Sequence, residues 1–409
     1  MCHFNKNVIL PCDNLMNFTK DMSAMLFAIF RQFFLLGCMS FGGPAAHLGY
    51  FKRHFVDTLN WLTSARYAQL ISLSQALPGP GSSQVSFAIG VERAGVLGGI
   101  AAFLGFTLPS FLIMVLLAVS AHQFDAVYFA IIAGLKLFAV VIVADATLSM
   151  AKSFCTSAAL KLLAVMSTLA LVLFPMLGTQ IAILITAAIT GAIWPLLKLG
   201  SPTETENTSS KKNNINWIAL GPFALLLAVS FFPLGQEFAL FAPFYQAGAM
   251  VFGGGHVVLP VLQAGVPALT DDQFLSAYAS AQAVPGPMFT IATYLGAQLT
   301  TEQPLVGALI ATLLIFMPGF LLILAFQKSW LNLASKPRFA SSIAALNAAV
   351  VGFLAAALYS PIWTSAVHNL WQVALVILAF AWLRFKKPPI WWLLIVFIAV
   401  GLGQHYWAL

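Results

Sequence analysis

The stretch Ser74-Gln75-Ala76-Leu77-Pro78-Gly79-Pro80 occurs twice in this chain, the second time as Ala281-Gln282-Ala283-Val284-Pro285-Gly286-Pro287. A Pro-Gly-Pro cannot continue a helix. Each proline lacks an N–H and clashes with the preceding turn, and the glycine between them relaxes the backbone. In water such a stretch is a surface turn. Inside an apolar run it has to be a break buried in protein or facing a wet cavity, because lipid offers nothing to a freed backbone group. Paired breaks at corresponding positions of two halves point to a transporter's binding site.

The surroundings are apolar enough to make that constraint apply. Of 409 residues, 60% are hydrophobic and 8% charged, where a soluble domain carries about a quarter charged. The chain reads as an all-α polytopic membrane protein. Runs suited to spanning helices lie at 95–120, 126–150, 158–175, 179–197, 216–233, 304–327, 340–359, 367–384 and 389–407. The 19 Lys and Arg against 12 Asp and Glu, a formal +7, read as loop bias rather than as a nucleic-acid surface. Cys2, Cys12, Cys38 and Cys155 have no framework or metal-ligand spacing and read as free thiols. No nucleotide, zinc-hydrolase or nucleophile-elbow motif is present. The expectation is therefore a non-enzyme without metal or cofactor. Without an ATPase motif, uphill transport would have to draw on an ion gradient or the membrane potential.

The halves repeat in order. Gly37-Cys-Met-Ser-Phe41-Gly42-Gly43 matches Gly248-Ala-Met-Val-Phe252-Gly253-Gly254, and the Pro-Gly-Pro stretches match next. Gly98…Pro109-Ser-Phe111-Leu112 then matches Gly307…Pro318-Gly-Phe320-Leu321, and Leu135-Lys136 aligns with Leu346-Asn347. The offsets are 211, 207, 209 and 211 residues. The predicted organisation is a tail over 1–21 without a signal-peptide core, a first repeat over 22–197, a cytoplasmic linker over 198–215, a connecting transmembrane helix over 216–233, and a second repeat over 234–409.

Loop charges predict that the second repeat is inverted. Lys52, Arg53 and Arg66 in the first half face Asp271 and Asp272 in the second, and Arg93 faces Glu302. The next loops reverse, with Asp125 against Lys328, Lys336 and Arg338, and Lys152 and Lys161 against a base-free 360–367. Counting sides then makes each Pro-Gly-Pro segment a hairpin that returns to the face it entered. Residues 64–77 would be about 21 Å of helix, too short to cross. The same counting makes hairpins of the Phe-Gly-Gly segments, for about nine crossings and four half-helix hairpins. The competing arrangement has 22–42 or 238–260 as ordinary spanning helices. The multi-pass chain is expected in the inner or plasma membrane, with its N-terminus cytoplasmic and its C-terminus external.

Candidate site residues gather beside the breaks. Helices starting after Pro78-Gly79-Pro80 and Pro285-Gly286-Pro287 would aim free N–H groups at the midplane, with Ser82 and Ser83 after the first and Thr290 and Thr293 after the second. Gly42, Gly43, Gly253 and Gly254 would let backbone approach a ligand; close helix packing explains them equally well. Gln75 and Gln282 sit three residues before each first proline, suited to orienting an oxyanion. His47 and His256 flank the glycine motifs, as anion ligands or as ordinary hydrogen-bonded core histidines. Lys136, at the position of Asn347, is a candidate counter-charge or half of a structural ion pair. Arg31 is a pathway charge, a partner for Asp145, or a snorkelling side chain, and Asp145 is a candidate proton site.

Phe41-Gly42-Gly43-Pro44 with His47, Gln75-Ala-Leu-Pro78-Gly79-Pro80, Phe252-Gly253-Gly254-Gly255-His256 with Pro260, and Gln282-Ala-Val-Pro285-Gly286-Pro287 together resemble the two-domain chromate ion transporter family. The resemblance runs over about 22–200 and 235–405. It implies two homologous halves of opposite orientation, export of chromate from the cytoplasm with chromate resistance, and sulfate as a related or competing anion. Helix N-termini, glycine nests and a lysine suit such a tetrahedral dianion. The expected function is secondary transport of chromate outward, driven by potential or anion exchange. Proton-coupled uptake of sulfate or another oxyanion and an anion channel are the alternatives, and an enzyme or scaffold lacks the residues it would need. The expected partners are the oxyanion and the lipid bilayer, with no nucleic acid; a homodimer is an extrapolation from other inverted-repeat transporters.

Overall fold

In the computed structural model, residues 12–41, 43–120, 125–194, 215–232, 235–252, 255–266 and 268–407 are described. Among them there is helix but no strand, as the apolar runs dictate, because only a helix satisfies its own backbone without an edge. In the first half the helices are α1 (Cys12–Met39), α2 (Gly43–Phe51), α3 (Ser64–Ala76), α4 (Gly81–Ser120), α5 (Asp125–Phe154), α6 (Ala158–Leu173) and α7 (Leu177–Ile193). After the linker come α8 (Trp217–Val229), α9 (Gln236–Met250), α10 (Val258–Gly265), α11 (Asp271–Ala283), α12 (Ile291–Leu299) and α13 (Pro304–Phe326). The chain closes with α14 (Trp330–Ala334), α15 (Pro337–Ala357), α16 (Thr364–Ala366), α17 (Leu370–Lys386) and α18 (Ile390–Trp407).

Each of the nine predicted spanning runs falls on helix over most of its described residues. Among the described residues, five helices are long and apolar enough to cross a membrane: Met22–Met39, Gly81–Ser120, Ala130–Phe154, Pro304–Phe326 and Pro337–Ala366. The last of these continues α15 through a π-turn. Leu, Ile, Val and Phe side chains cover their outer faces, with Leu116 at 68% and Leu305 at 58% exposure; a face this apolar belongs in lipid. Two expectations need correcting on length. The connecting segment 216–233 is realised as α8, only 13 residues long, or about 20 Å of helix. The first Phe-Gly-Gly segment begins with a 28-residue helix rather than a short arm, as in the arrangement where 22–42 spans. Its counterpart α9 has 15 residues.

Packing interleaves the halves. Within the first half α1 lies along α4, and within the second α9 lies along α13. Across the halves, α15 packs on α6 and α7, while α5 packs on α17 and α18. Helix α4 is two helices joined at Ala94 and Gly95, where Gly95 takes φ +62°. Its first arm, 81–93, folds back along its second. In the second half a separate helix, α12, does the same against α13. At the centre Phe87 stacks on Phe320 with ring centroids 4.4 Å apart.

Candidate functional site

Both Pro-Gly-Pro stretches are built the same way. Thr63 caps α3 by accepting from the Arg66 N–H at 3.2 Å. Thr270, 207 residues on, caps α11 in a capping box with Gln273. Each helix is 13 residues long and ends in an extended residue, Leu77 or Val284, as a following proline demands. The glycine then takes φ +124° at Gly79 and +108° at Gly286, which only glycine adopts without strain. The next helix starts at Gly81 in the first half; in the second, a short 3-10 turn over 288–290 precedes α12.

The glycine amides then cross between halves. Gly79 N–H donates to Val251 O at 2.7 Å, and Gly286 N–H donates to Ser40 O at 3.0 Å. Ser40 and Val251 are themselves corresponding residues, each immediately before a Phe-Gly-Gly. The packing is crossed as well. A Cβ on Gly79 would stand 3.0 Å from Gly319 Cα, and one on Gly286 would stand 2.8 Å from Ser110 Oγ. Gly319 and Ser110 occupy the same place after the repeated proline. Each break is thus seated on the other half.

Around Ser40 the polar groups form a chain. His47, fully buried, donates from Nε2 to the Ser40 carbonyl at 3.1 Å. That fixes Nδ1 as acceptor of the Ser82 hydroxyl at 3.3 Å. Both ring nitrogens are used, and His47 holds α2 to the start of α4. In the second half His256 Nδ1 faces the Tyr278 hydroxyl at 2.8 Å and the Gln282 amide at 3.1 Å. Gln282 also reaches Met288 Sδ at 3.6 Å. Met288 lies between Gly43 and Gly255, with Sδ 3.8 Å and 3.2 Å from a Cβ placed on each. The two glycine motifs therefore meet around one thioether.

Several expected residues stand elsewhere. Gln75 is exposed on α3, unlike buried Gln282. Lys136 pairs with Asp272 at 2.5 Å, at the base of α11, so its ammonium is about 20 Å of helix from the break. Asn347 is buried with its Oδ1 unpartnered. Asp145 pairs with Arg384 at 3.2 Å, not with Arg31, which is exposed on α1. Thr290 bonds to Pro287 O at 2.8 Å and Thr293 to Thr312 at 2.7 Å. Gly42, Gly253 and Gly254 lie outside the described residues. Of the cysteines, Cys38 and Cys155 are free thiols.

Two features escaped sequence reasoning. Arg66 pairs with Glu92 at 2.5 Å, and Glu92 also accepts from Gln327 Nε2 at 3.1 Å. At the base of the other hairpin Gln273 donates to Gln298 at 3.2 Å, and Gln298 to Ala118 O at 2.7 Å. Each latch ties the two arms of a break to the end of the other half's long helix, one with charge and one with amides. The repeat offset would have found them, since it sets Arg66 opposite Gln273 and Gln327 opposite Ala118. A cavity of about 250 Å³ opens beside Gln180, Pro260, Gln263, Asp271 and Ser360, away from the breaks.

A single family model, described as Chromate transporter, matches residues 27–192 and again 238–402. A "Probable chromate transport protein" of Synechococcus elongatus is 30% identical over 390 residues, covering 92% of this chain and 95% of that one. The "Chromate transport protein" of Pseudomonas aeruginosa is 28% identical over 342 residues, 80% of this chain and 79% of its own. That of Cupriavidus metallidurans is 26% identical over 361 residues, 87% of each. No solved structure gives a match.

Proposed function

Since this chain belongs to the chromate transporter family, we propose that it is a secondary transporter of tetrahedral oxyanions that carries chromate out of the cytoplasm, with the two broken-helix tips at its substrate site. The observation that carries this reading is the crossed pair of bonds from Gly79 to Val251 and from Gly286 to Ser40. These bonds join each Pro-Gly-Pro to the Phe-Gly-Gly segment of the other half, and Met288 between Gly43 and Gly255 links the two pairs. As at any helix start, the first-turn amides of Gly81, Ser82 and Ser83 have no intrahelical acceptor, and Pro80 has no side-chain acceptor to cap them. They carry the positive end of the helix dipole, a natural seat for an anion.

The two halves are read as inverted repeats with hairpins entering from opposite faces. Supporting this are the opposed loop charges and the crossed packing of α5 and α15 on the other half's last helices. An interior-negative membrane drives an anion outward with about 2.3 kcal/mol per charge per 100 mV, so export of a dianion needs no coupling ion. Lys136 and Asp272 are assigned to the approach to the site rather than to the site itself. Arg31 and Asp145 take no part in binding on this reading.

Flux of radiolabelled chromate and sulfate in proteoliposomes, with potential and pH gradients imposed separately, tests the proposal. Saturable, trans-stimulated flux that follows the potential is expected. Flux that follows the pH gradient inward would support proton-coupled uptake instead, and unsaturable macroscopic current would mean a channel.

A further inference from the structure

Buried side-chain oxygens without a partner are uncommon in folded proteins, because each costs the free energy of its lost hydration. Here three such hydroxyls, those of Ser40, Ser83 and Thr107, belong to one neighbourhood of the first half. Their residues are 1%, 0% and 3% exposed. The His47 ring spans the Ser40 carbonyl and the Ser82 hydroxyl, so Ser40 and the first turn of α4 lie one imidazole apart. The arms of α4 meet with Gly90 against Gly98 and Phe87 against Gly99. Continued toward the break, that register sets Ser83 level with Gly105–Thr107. Phe106 brackets the same place, its ring 5.3 Å from that of His47. Ser82 and Ser110 do not count among the free hydroxyls, since the one serves His47 and the other donates to Thr107 O at 2.9 Å.

The second half has no equivalent set. By the repeat offsets, Ser40, Ser83 and Thr107 correspond to Val251, Thr290 and Phe316. Val251 and Phe316 are fully buried hydrophobes, and Thr290 has spent its hydroxyl on Pro287 O. Phe316 instead joins a ring cluster with Phe103 at 5.1 Å and Phe289 at 6.0 Å. At these three corresponding positions, free side-chain donors are therefore available in the first half and not in the second.

We infer that the oxyanion is held asymmetrically, by the hydroxyls of Ser40, Ser83 and Thr107 together with the first-turn amides of α4, and that the second half closes the site without supplying side-chain ligands. This rests on the oxyanion-transporter reading and narrows it. Separate donors suit an anion with several oxygens, each taking its own hydrogen bond. A halide presents a single centre and gathers fewer of them. The same hydroxyls could in principle ligate sodium, but the positive end of α4 beside them opposes a cation.

The test uses the full chain in proteoliposomes, with sulfate and chromate as probes in sodium and in choline media. Ser40→Ala, Ser83→Ala and Thr107→Val should each raise the KM for the oxyanion roughly tenfold, the effect of losing one charge-assisted hydrogen bond. Apparent Tm without anion should be unchanged or higher, because each change removes an unpartnered buried oxygen. The oxyanion-to-chloride selectivity should fall with the affinity. Thr290→Val and Thr293→Val should move KM less than about threefold. Unchanged KM in the first three variants, or an equal loss in the last two, overturns the assignment, as would a shift confined to the sodium half-saturation. If the unaltered protein neither binds nor moves chromate or sulfate, the transporter reading itself fails; transport by the unaltered protein with unaffected variants refutes only the asymmetric site.

Discussion

Gly286→Ala is the most direct probe of how the breaks are seated. Gly286 holds φ +108°, a conformation that costs a residue with a Cβ about 1–3 kcal/mol. The added carbon would lie 2.8 Å from Ser110 Oγ and 3.0 Å from Ser110 Cβ. Overpacking of that kind adds about 1–3 kcal/mol. If the break shifts to relieve it, the 3.0 Å bond to Ser40 O is lost as well, for about 1 kcal/mol. The sum is about 2–7 kcal/mol, or on the order of 2–8 °C in apparent Tm for a chain of this length. The assay is thermal unfolding in detergent, followed by loss of the monodisperse peak in size exclusion. Adding Ser110→Gly makes the site like its counterpart, where Gly79 faces Gly319. The double variant should recover the packing part and keep the backbone strain, a coupling of about 1–3 kcal/mol. Gly49→Ala, with open space around it, should leave Tm unchanged or slightly raised. A Gly286→Ala protein as stable as its parent, or a cycle with no coupling, would refute the crossed seating.

Three further outcomes can be checked. Cysteines placed at Asp57 and Asp271, both exposed, should be labelled from opposite faces of sealed vesicles; labelling of both from one face would remove the inversion. Arg66→Gln with Glu92→Gln converts the charged latch to the amide type of the other end. It should cost less than about 1 kcal/mol, as expected of a partly exposed pair, and should weaken any salt dependence of Tm that the parent shows. Lys136→Ala should raise the KM for the dianion a few-fold by removing a charge from the approach, with Tm nearly unchanged; intact KM would deny the lysine any part in transport.

Much of this was legible because the signals are local. Apolar runs fix where helices lie, and Pro-Gly-Pro fixes where they stop, whatever packs around them. What the runs do not encode is which face of a helix meets which neighbour. Gln75 and Gln282 occupy the same place in the repeat, yet one is exposed and the other bonds His256, since α11 packs on α5 and α3 has no such cover. Lys136 was readable as a charge to be balanced, but its partner Asp272 lies in the other half, and no spacing rule joins them. The shortness of α8 was hidden because Phe231 and Phe232 extend the apolar run past the point where the helix ends. The unpartnered hydroxyls were least legible, being defined by what their neighbours fail to offer.

The bonds from Gly79 and Gly286 run between backbone atoms, so they are indifferent to the side chains beside them. Residues around them can differ between the halves without loosening the joint. Within this one chain Ser40 has become or replaced a valine, Thr107 stands opposite Phe316, and a salt bridge stands opposite a pair of glutamines, while the glycine between two prolines is written identically twice. A joint of that sort holds whichever side chains the two segments carry, so the surroundings of each break can differ while the glycine-to-carbonyl bonds keep the same geometry.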